Sequence, residues 1–520
     1  MNKNLKELGQ FFTPKLISEY MVKLSTTTKN GNILEPSCGE GVFLNSLIEN
    51  GFKNIDAYEY DTTLNNKSSI PITYESFINQ DIDKKYDLII GNPPYIRWKN
   101  LKEELKEELN NNELWQSYFN SLCDYLYIFI LKSIDILKDN GELIFITPEY
   151  WMHTTHSNTL RNYMIENGYF ETIIHFSETP IFDGVNSSII IFKFIKSKNK
   201  LKNIKFVEYN SRKKIDASIV DKIYNNISFK DISYKEIPQF KKDAKWLLAT
   251  QDIIDELKTY ENNCISNDKL LNNTFYTIGD ISNIGNGMVS GLDKAFQLNN
   301  ENLNLTPLEE KSTIKVLKAK SLSSYIHSEY TKYIFITENI TEQDFLTNYP
   351  NFYNHLLEYK EKLNKRYNYN RDIKYWEWVF LRNYNLFKLD TKKIFIPCKE
   401  RISHKDYFRF SIVEPEYYPT QDVSAIYLKD DIKESIYYIL ALLNNFRVFH
   451  WLKYNGIIKG NIVEFSEKPI SSIPIKLIDW NNENEVKLHN EITLNVKNYI
   501  TTKNKDYLIK VNELLDKLFI

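Results

Sequence analysis

Between residue 30 and about residue 195 the chain alternates two kinds of patterning. Short, continuously apolar runs rich in isoleucine and leucine are separated by longer stretches whose apolar positions recur every three or four residues. The runs are Asn32-Ile33-Leu34, Ile55-Asp56-Ala57-Tyr58, Asp87-Leu88-Ile89-Ile90, Leu143-Ile144-Phe145-Ile146, Thr172-Ile173-Ile174-His175 and Ser188-Ile189-Ile190-Ile191-Phe192. A strand covered on both faces needs apolar side chains pointing both ways, so these runs predict buried strands. Helical spacing, clearest from Asp124 to Leu131, predicts helices between them. Such alternation predicts an α/β fold with a doubly wound, mostly parallel sheet and a ligand at the carboxyl ends of the strands. After about residue 240 the rhythm is lost. The expected organisation is one domain over residues 1–240 and a second, mixed α+β domain over 241–520, with the boundary good to about fifteen residues.

The residues with chemical character fall at the predicted strand ends. Asn92-Pro93-Pro94-Tyr95 follows the apolar run Tyr86 to Gly91, with Gly91 read as the point where the backbone turns. Pro93 pushes Asn92 out of the helical region, and the two prolines fix their own φ near −65° and carry no N–H. The turn therefore offers two acceptors, the Asn92 side-chain oxygen and the Pro93 carbonyl, beside the aromatic face of Tyr95. That surface suits a planar amine. The segment Ile33 to Leu44 reads as strand, turn and helix; Gly39 and Gly41 allow a ligand close to the backbone, while Leu44 in place of a third glycine disfavours a dinucleotide. Glu59, eighteen residues after Gly41, is placed to accept hydrogen bonds from ribose hydroxyls, with Asp61 as its competitor. In Tyr74-Glu75-Ser76-Phe77 the Phe77 ring either stacks on a ligand or fills the core. Thr13-Pro14 reads as a helix N-cap followed by proline at the first helical position. Phe182 lies in Thr179 to Val185, just ahead of the last strand.

In order and spacing these segments resemble the gamma-class, TaqI-like DNA adenine-N6 methyltransferases with a C-terminal target recognition domain. The resemblance runs closely over residues 9–192 and more loosely over about 240–480. It implies a Rossmann-like S-adenosylmethionine-dependent methyltransferase domain followed by a DNA-specificity domain, acting on the N6 amine of a flipped-out adenine. It implies a catalytic set of Asn92, Pro93, Pro94 and Tyr95, with Phe182 stacking on the second face of the base. It implies cofactor contacts from Thr13 at the methionine carboxylate, and from Glu35, Pro36, Cys38, Gly39 and Gly41 around the methionine. Glu59 would hold the ribose and Ser76 and Phe77 the adenine, with Asn92 shared between cofactor and base. Ser76 stands where the family usually has an aspartate. An exocyclic amine is a poor nucleophile because its lone pair is conjugated into the ring, so two acceptors that favour a pyramidal nitrogen and stabilise its growing charge would suffice without a strong base. Extruding the base costs a few kcal/mol, which stacking of about 1–3 kcal/mol per aromatic contact can offset.

Whole-chain composition excludes more than it assigns. Hydrophobic content of 42% with 26% charged residues is ordinary for a globular chain of 520 residues, and no stretch approaches a membrane span. The N-terminal residues carry no apolar signal core, so a cytoplasmic location is expected. Cys38, Cys123, Cys264 and Cys398 are too dispersed for a zinc site or redox pair, and His153 and His156 lack a third ligand, so no metal is expected. A net charge of −2 gives no global nucleic-acid signature. Locally, fourteen Lys/Arg face six Asp/Glu between Tyr359 and Phe410, interleaved with aromatics. This is the expected DNA-binding stretch, with Lys365, Arg366, Arg371, Lys374 and Trp376 as candidate contacts and Lys459, before Gly460, as a later one. The implied partners are double-stranded DNA and, unless the chain acts as an orphan methylase, a separate cognate restriction endonuclease. Competing readings are an RNA adenine methyltransferase, a protein glutamine methyltransferase of the release-factor kind, and a non-catalytic DNA-binding partner.

Overall fold

A computed structural model of the chain describes residues 11–182, 188–199, 201–265, 275–298, 304–402, 405–459 and 461–519, with only the backbone described for Lys459. Gly9 and Gln10, at the start of the stretch that resembles the family, and Asp183, Gly184, Val185 and Gly460 lie outside these residues. The chain forms two compact units, Met1–Ile254 and Asp255–Ile520.

The first unit is built on one eight-stranded sheet. Its strands are β1 (Asn32–Glu35), β2 (Asn54–Ala57), β3 (Tyr86–Gly91), β4 (Leu137–Pro148), β5 (Gly168–Phe176), β6 (Ile189–Lys196), β7 (Asn203–Tyr209) and β8 (Ile232–Pro238). The order is β2-β1-β3-β4-β6-β5-β7-β8. β1 to β4 pair in parallel, β6 runs antiparallel between β4 and β5, and β8 is antiparallel to β7. Alternate residues of each strand feed opposite faces. Leu34, Ile89, Leu143 and Phe145 enter one core with the helix α5 (Tyr125–Ile136), whereas Ile33, Leu88, Ile90, Ile144 and Ile146 enter the other with α1 (Lys15–Leu24). Helix α2 (Val42–Glu49) lies on the α1 side. The described residues of this unit also form helices α3 (Glu103–Asn110), α4 (Glu113–Tyr118), α6 (Asn158–Asn167) and α7 (Ala217–Tyr224). Asp124 caps α5 by accepting from the Leu126 N–H at 3.1 Å, as its type and position favour. Residues past 240 still belong to this unit. Phe240 and Trp246 stack at 4.4 Å and pack against Phe170, which takes the edge of the unit to Ile254.

The second unit combines three small sheets with helices. One sheet orders Ser411–Val413, Lys393–Pro397, Val423–Leu428 and Ser282–Asn286, all antiparallel. Helices Glu483–Thr502 and Asp506–Leu518 close the chain. Two glycines of this unit, Gly287 and Gly291, have structural reasons. A Cβ at Gly287 would collide with the Thr420 carbonyl at 2.1 Å, and Gly291 sits at φ +84° against the Arg366 side chain.

Candidate active site

Parallel pairing of β1 with β3 brings two turns out side by side. Glu35 is the last residue of β1, and Asn92 follows Gly91, the last of β3. Gly91 is still strand, paired with Phe145, and a Cβ there would find room; the turn is made by the prolines after it. The Ser37 hydroxyl donates to the Asn92 carbonyl at 3.2 Å and ties the turns together. Between them opens a cavity of about 310 Å³, lined by Thr13, Glu35, Pro36, Cys38, Gly39, Glu59, Ser76, Phe77, Asn92 and Pro94 among others. Gly41, Pro93, Tyr95 and Phe182 are not on its wall.

Gly39 (φ +52°) and Gly41 (φ +84°) carry the turn through the left-handed region, where glycine is favoured. A Cβ on Gly39 would meet nothing within 4 Å, whereas one on Gly41 would approach the Asn66 Oδ1 to 2.9 Å. Gly39 thus opens the wall and Gly41 permits close packing behind it. Glu59 accepts from the Gly39 N–H at 2.7 Å and from the Asp61 N–H at 2.8 Å. Asp61 instead receives Thr63, N–H and hydroxyl, which leaves Glu59 as the acid against the glycine turn. Burial raises the Glu59 pKa, against the pull of its backbone donors. Glu35 is fully enclosed, and burial together with the Glu59 charge pushes its carboxyl well above the usual range. Its Oε2 has no hydrogen-bond partner. A buried acceptor without a donor, beside an acid and an open glycine wall, fits a ligand bringing a cationic or hydroxyl-bearing group, as the amino-acid and ribose parts of S-adenosylmethionine would.

The far end of the cavity is floored by Phe77, on the turn Phe77–Asn79. That turn is held by Lys132, whose Nζ donates to the carbonyls of Phe77, Ile78 and Gln80 at 2.8, 2.9 and 2.5 Å. An ammonium has three protons, and one turn takes all three.

At the tetrapeptide, Asn92 Nδ2 donates to the Phe11 carbonyl at 2.6 Å and to the Thr13 hydroxyl at 3.0 Å. A backbone carbonyl can only accept, so Nδ2 must face Phe11 and Oδ1 is turned the other way. The Tyr95 hydroxyl donates to the Ile146 carbonyl at 2.7 Å and also lies against Asn92 Oδ1. Burial keeps that phenol protonated. The Phe11 ring stacks on Tyr95, centroids 5.7 Å apart at 20°, and touches Phe182 at 5.9 Å. Phe182 itself is 4% exposed, beneath Phe11. The expected Thr13 cap is not formed. Pro14 occupies the N-cap position of α1 without a side-chain bond, because the Thr13 hydroxyl is turned to Asn92.

Three features near the site escaped the sequence reading. Lys132 had a signal, a lone lysine in the apolar helix Tyr125–Ile136, and Phe11 lay in a segment read only for its helix cap. The third is a cluster past the end of β4. Glu149 contacts His175 at 2.8 Å and His153 at 2.7 Å, and Glu208 lies 3.9 Å from His175. Beyond Glu149 and His153, four residues apart, it joins residues far apart in sequence. Among the described residues no group of three or more His, Cys, Asp or Glu is arranged to hold a metal, and no helix is long and apolar enough to cross a membrane.

In the second unit the candidate DNA contacts divide. Lys365 is exposed and paired with Glu361, four residues away, and Arg371 is exposed with its guanidinium over Phe380 at 3.8 Å. Tyr367 and Tyr369, 70% and 43% exposed, lie beside each other at 4.6 Å. Lys374 is half-buried and donates to Asn339 Oδ1 at 2.9 Å. Two candidates are corrected. Arg366 donates to the carbonyls of Ser290, Lys374 and Glu377 at 2.8, 3.0 and 2.6 Å, and burial pushes its pKa down to about 10; it braces the loop at Gly291. Trp376 is 3% exposed and stacked on Phe345 at 4.9 Å, so its ring is committed to the core. Lys459 belongs to the strand Ile457–Lys459.

Comparison with known proteins agrees with this geometry. Residues 21–182 match the Eco57I restriction-modification methylase family. The Type II methyltransferase M.HindII of Haemophilus influenzae is 47% identical over 520 residues, spanning 99% of this chain and 98% of its own length. M.HincII, also from Haemophilus influenzae, is 46% identical over 514 residues, with 99% and 98% covered. Among solved structures, the Type IIL restriction-modification enzyme MmeI aligns with a TM-score of 0.58 over 97% of this chain and 72% of its own, at 12% identity, which is likeness of fold. Together the identity over full length and the tetrapeptide turn at the cavity place the chain: it belongs to the Eco57I-type restriction-modification methylases and is a Type II, site-specific DNA methyltransferase.

Proposed function

We propose that the first unit binds S-adenosylmethionine in the Glu35–Glu59–Phe77 cavity and transfers its methyl group to the N6 amine of an adenine flipped out of duplex DNA. The observation that carries this reading is the orientation of Asn92. With Nδ2 committed to Phe11 and Thr13, Oδ1 is the acceptor an incoming amine meets; the Tyr95 hydroxyl beside it also donates to the Ile146 carbonyl and can give way, and an acceptor is what an amine needs as it gains positive charge. S-adenosylmethionine supplies an electrophilic methyl on a sulfonium. The chain's own residues do the rest. Glu59 accepts from the ribose, Phe77 floors the adenine of the cofactor, and Asn92 Oδ1 with the Pro93 carbonyl accepts from the target amine and orients its lone pair. Tyr95 and Phe182 supply the faces for the base. Since no strong base is required, the acceleration comes from orientation and from acceptors fixed in advance. The second unit, with Lys365, Arg371, Tyr367 and Tyr369, is the reading's DNA-specificity domain, and Lys374 and Lys459 remain candidate phosphate contacts. A cytoplasmic enzyme working beside a cognate endonuclease completes the proposal. Long-read sequencing of DNA from a methylation-deficient host expressing the chain tests it: N6-methyladenine at one recurring sequence is expected, and unmodified adenine throughout would refute it.

A further inference from the structure

The Phe11 ring is the aromatic that contacts both Tyr95 and Phe182, at 5.7 and 5.9 Å, and it lies nearly parallel to Tyr95 at 20°. A planar ring in that place does what a flipped base would do there. Asn92 Oδ1 also has a partner within the protein, since the Tyr95 hydroxyl lies against it. We propose that Phe11 is a specificity-determining placeholder: its ring fills the target-base slot in the absence of DNA, and a base enters only by displacing it. This inference rests on the adenine reading of the site.

The anchoring of Phe11 separates ring from backbone. Its carbonyl is held by Asn92 Nδ2 at 2.6 Å, and rotation about χ1 moves the ring without moving that carbonyl. Asn92 would therefore keep its orientation while the slot is vacated. The next residue, Phe12, is 47% exposed, so the segment runs along the surface and an outward aromatic is already accommodated there. Displacement changes the selection rule. In an empty slot any base would gain the full stacking energy. In a slot already filled, stack is exchanged for stack, and the base must win on what phenylalanine lacks: hydrogen bonds from an exocyclic amine to Asn92 Oδ1 and the Pro93 carbonyl. The ring also keeps water from the acceptors between turnovers.

The test is ¹⁹F NMR on the full-length protein carrying 4-fluorophenylalanine at position 11, with three duplexes. One carries the chain's own methylation site as read by modified-base sequencing, one has an abasic nucleotide at the target position, and one lacks the site. The resonance is expected to move with the first duplex and to stay with the other two. An equal movement with the abasic duplex, or no movement while the first duplex is being methylated, would overturn the proposal. A second measurement uses Phe11→Ala with 2-aminopurine at the target position. Binding about 5- to 150-fold tighter than wild type and brighter fluorescence are expected, the range of one aromatic stack. Unchanged or weaker binding would count against the placeholder. Nucleoside mass analysis keeps the two claims apart. Methylcytosine as product refutes the adenine reading whatever the ring does, while N6-methyladenine with an immobile ring refutes the placeholder alone.

Discussion

Replacing Lys132 by methionine should weaken cofactor binding without touching a residue that contacts the cofactor. Lys132 is 5% exposed, and its three protons go to the carbonyls of Phe77, Ile78 and Gln80. Methionine fills much of the same volume and leaves the three carbonyls without donors. Hydrogen bonds from a charged donor contribute about 1.5–3 kcal/mol each, but removing the ammonium also removes its own desolvation cost of several kcal/mol. The net loss is then about 2–4 kcal/mol. For a unit of roughly 250 residues each kcal/mol moves Tm by about 2–4 °C, so a drop of about 5–15 °C is expected. The freed turn carries Phe77, and loosening one stacking contact of about 1–3 kcal/mol should raise the Kd for S-adenosylmethionine about tenfold. Isothermal titration calorimetry measures the affinity, and methylation kinetics should show a raised cofactor KM with kcat changed far less. Lys132→Arg, which keeps the charge and donors, should recover part of both. A fall in Tm with unchanged cofactor affinity would refute the link from Lys132 through the turn to the cavity.

Glu59→Gln should weaken S-adenosylmethionine binding by about 30- to 150-fold, since the amide must oppose its own N–H to one of the donors of Gly39 and Asp61; equilibrium dialysis checks this. Burial alone would lower the His175 pKa, but the carboxylates of Glu149 and Glu208 raise it from 6.5 to about 10. A raised folded pKa gives stability that is fully present below about pH 6.5 and lost as pH climbs through about 10. Calorimetry should therefore show Tm falling between pH 7 and 10 in the wild type and falling less in His175→Gln. Lys365→Glu with Arg371→Glu should weaken DNA binding and flatten its salt dependence by about 0.9 in slope per lost phosphate contact, at unchanged Tm. Arg366→Ala should instead lower Tm, because three carbonyls lose their donor.

The sequence revealed the first unit well because its signals are local. Six apolar runs became β1 to β6, and the glycine turn, Glu59 and the tetrapeptide all stand at carboxyl ends of parallel strands. β7 and β8 were missed since Ile204, Lys205, Phe206 alternate apolar with charged residues and resemble an exposed segment, although β7 is paired on both sides, with β5 and β8. The basic stretch misled for a related reason. Composition counts charges, whereas Arg366, Lys393 and Arg409 spend theirs inside the unit: on carbonyls, on the Pro415 carbonyl at 2.8 Å, and on Glu400. Burial of a cation depends on where carbonyls and carboxylates converge, and that is a property of the fold. Asn92 was visible from its proline neighbours, but its orientation was not, because the partners that set it lie about eighty residues earlier, at Phe11 and Thr13.

The central claim is that Asn92 Oδ1 accepts from an adenine amine during methyl transfer. It is tested most directly by incubating duplex DNA with S-adenosylmethionine carrying a labelled methyl, digesting to nucleosides and resolving them by mass spectrometry, with wild type and Asn92→Ala side by side. Labelled N6-methyl-2′-deoxyadenosine is expected from wild type. From Asn92→Ala, turnover should be lower by at least about 10²-fold, with cofactor affinity largely kept. Label on cytosine, or near-wild-type turnover by Asn92→Ala, would contradict the claim.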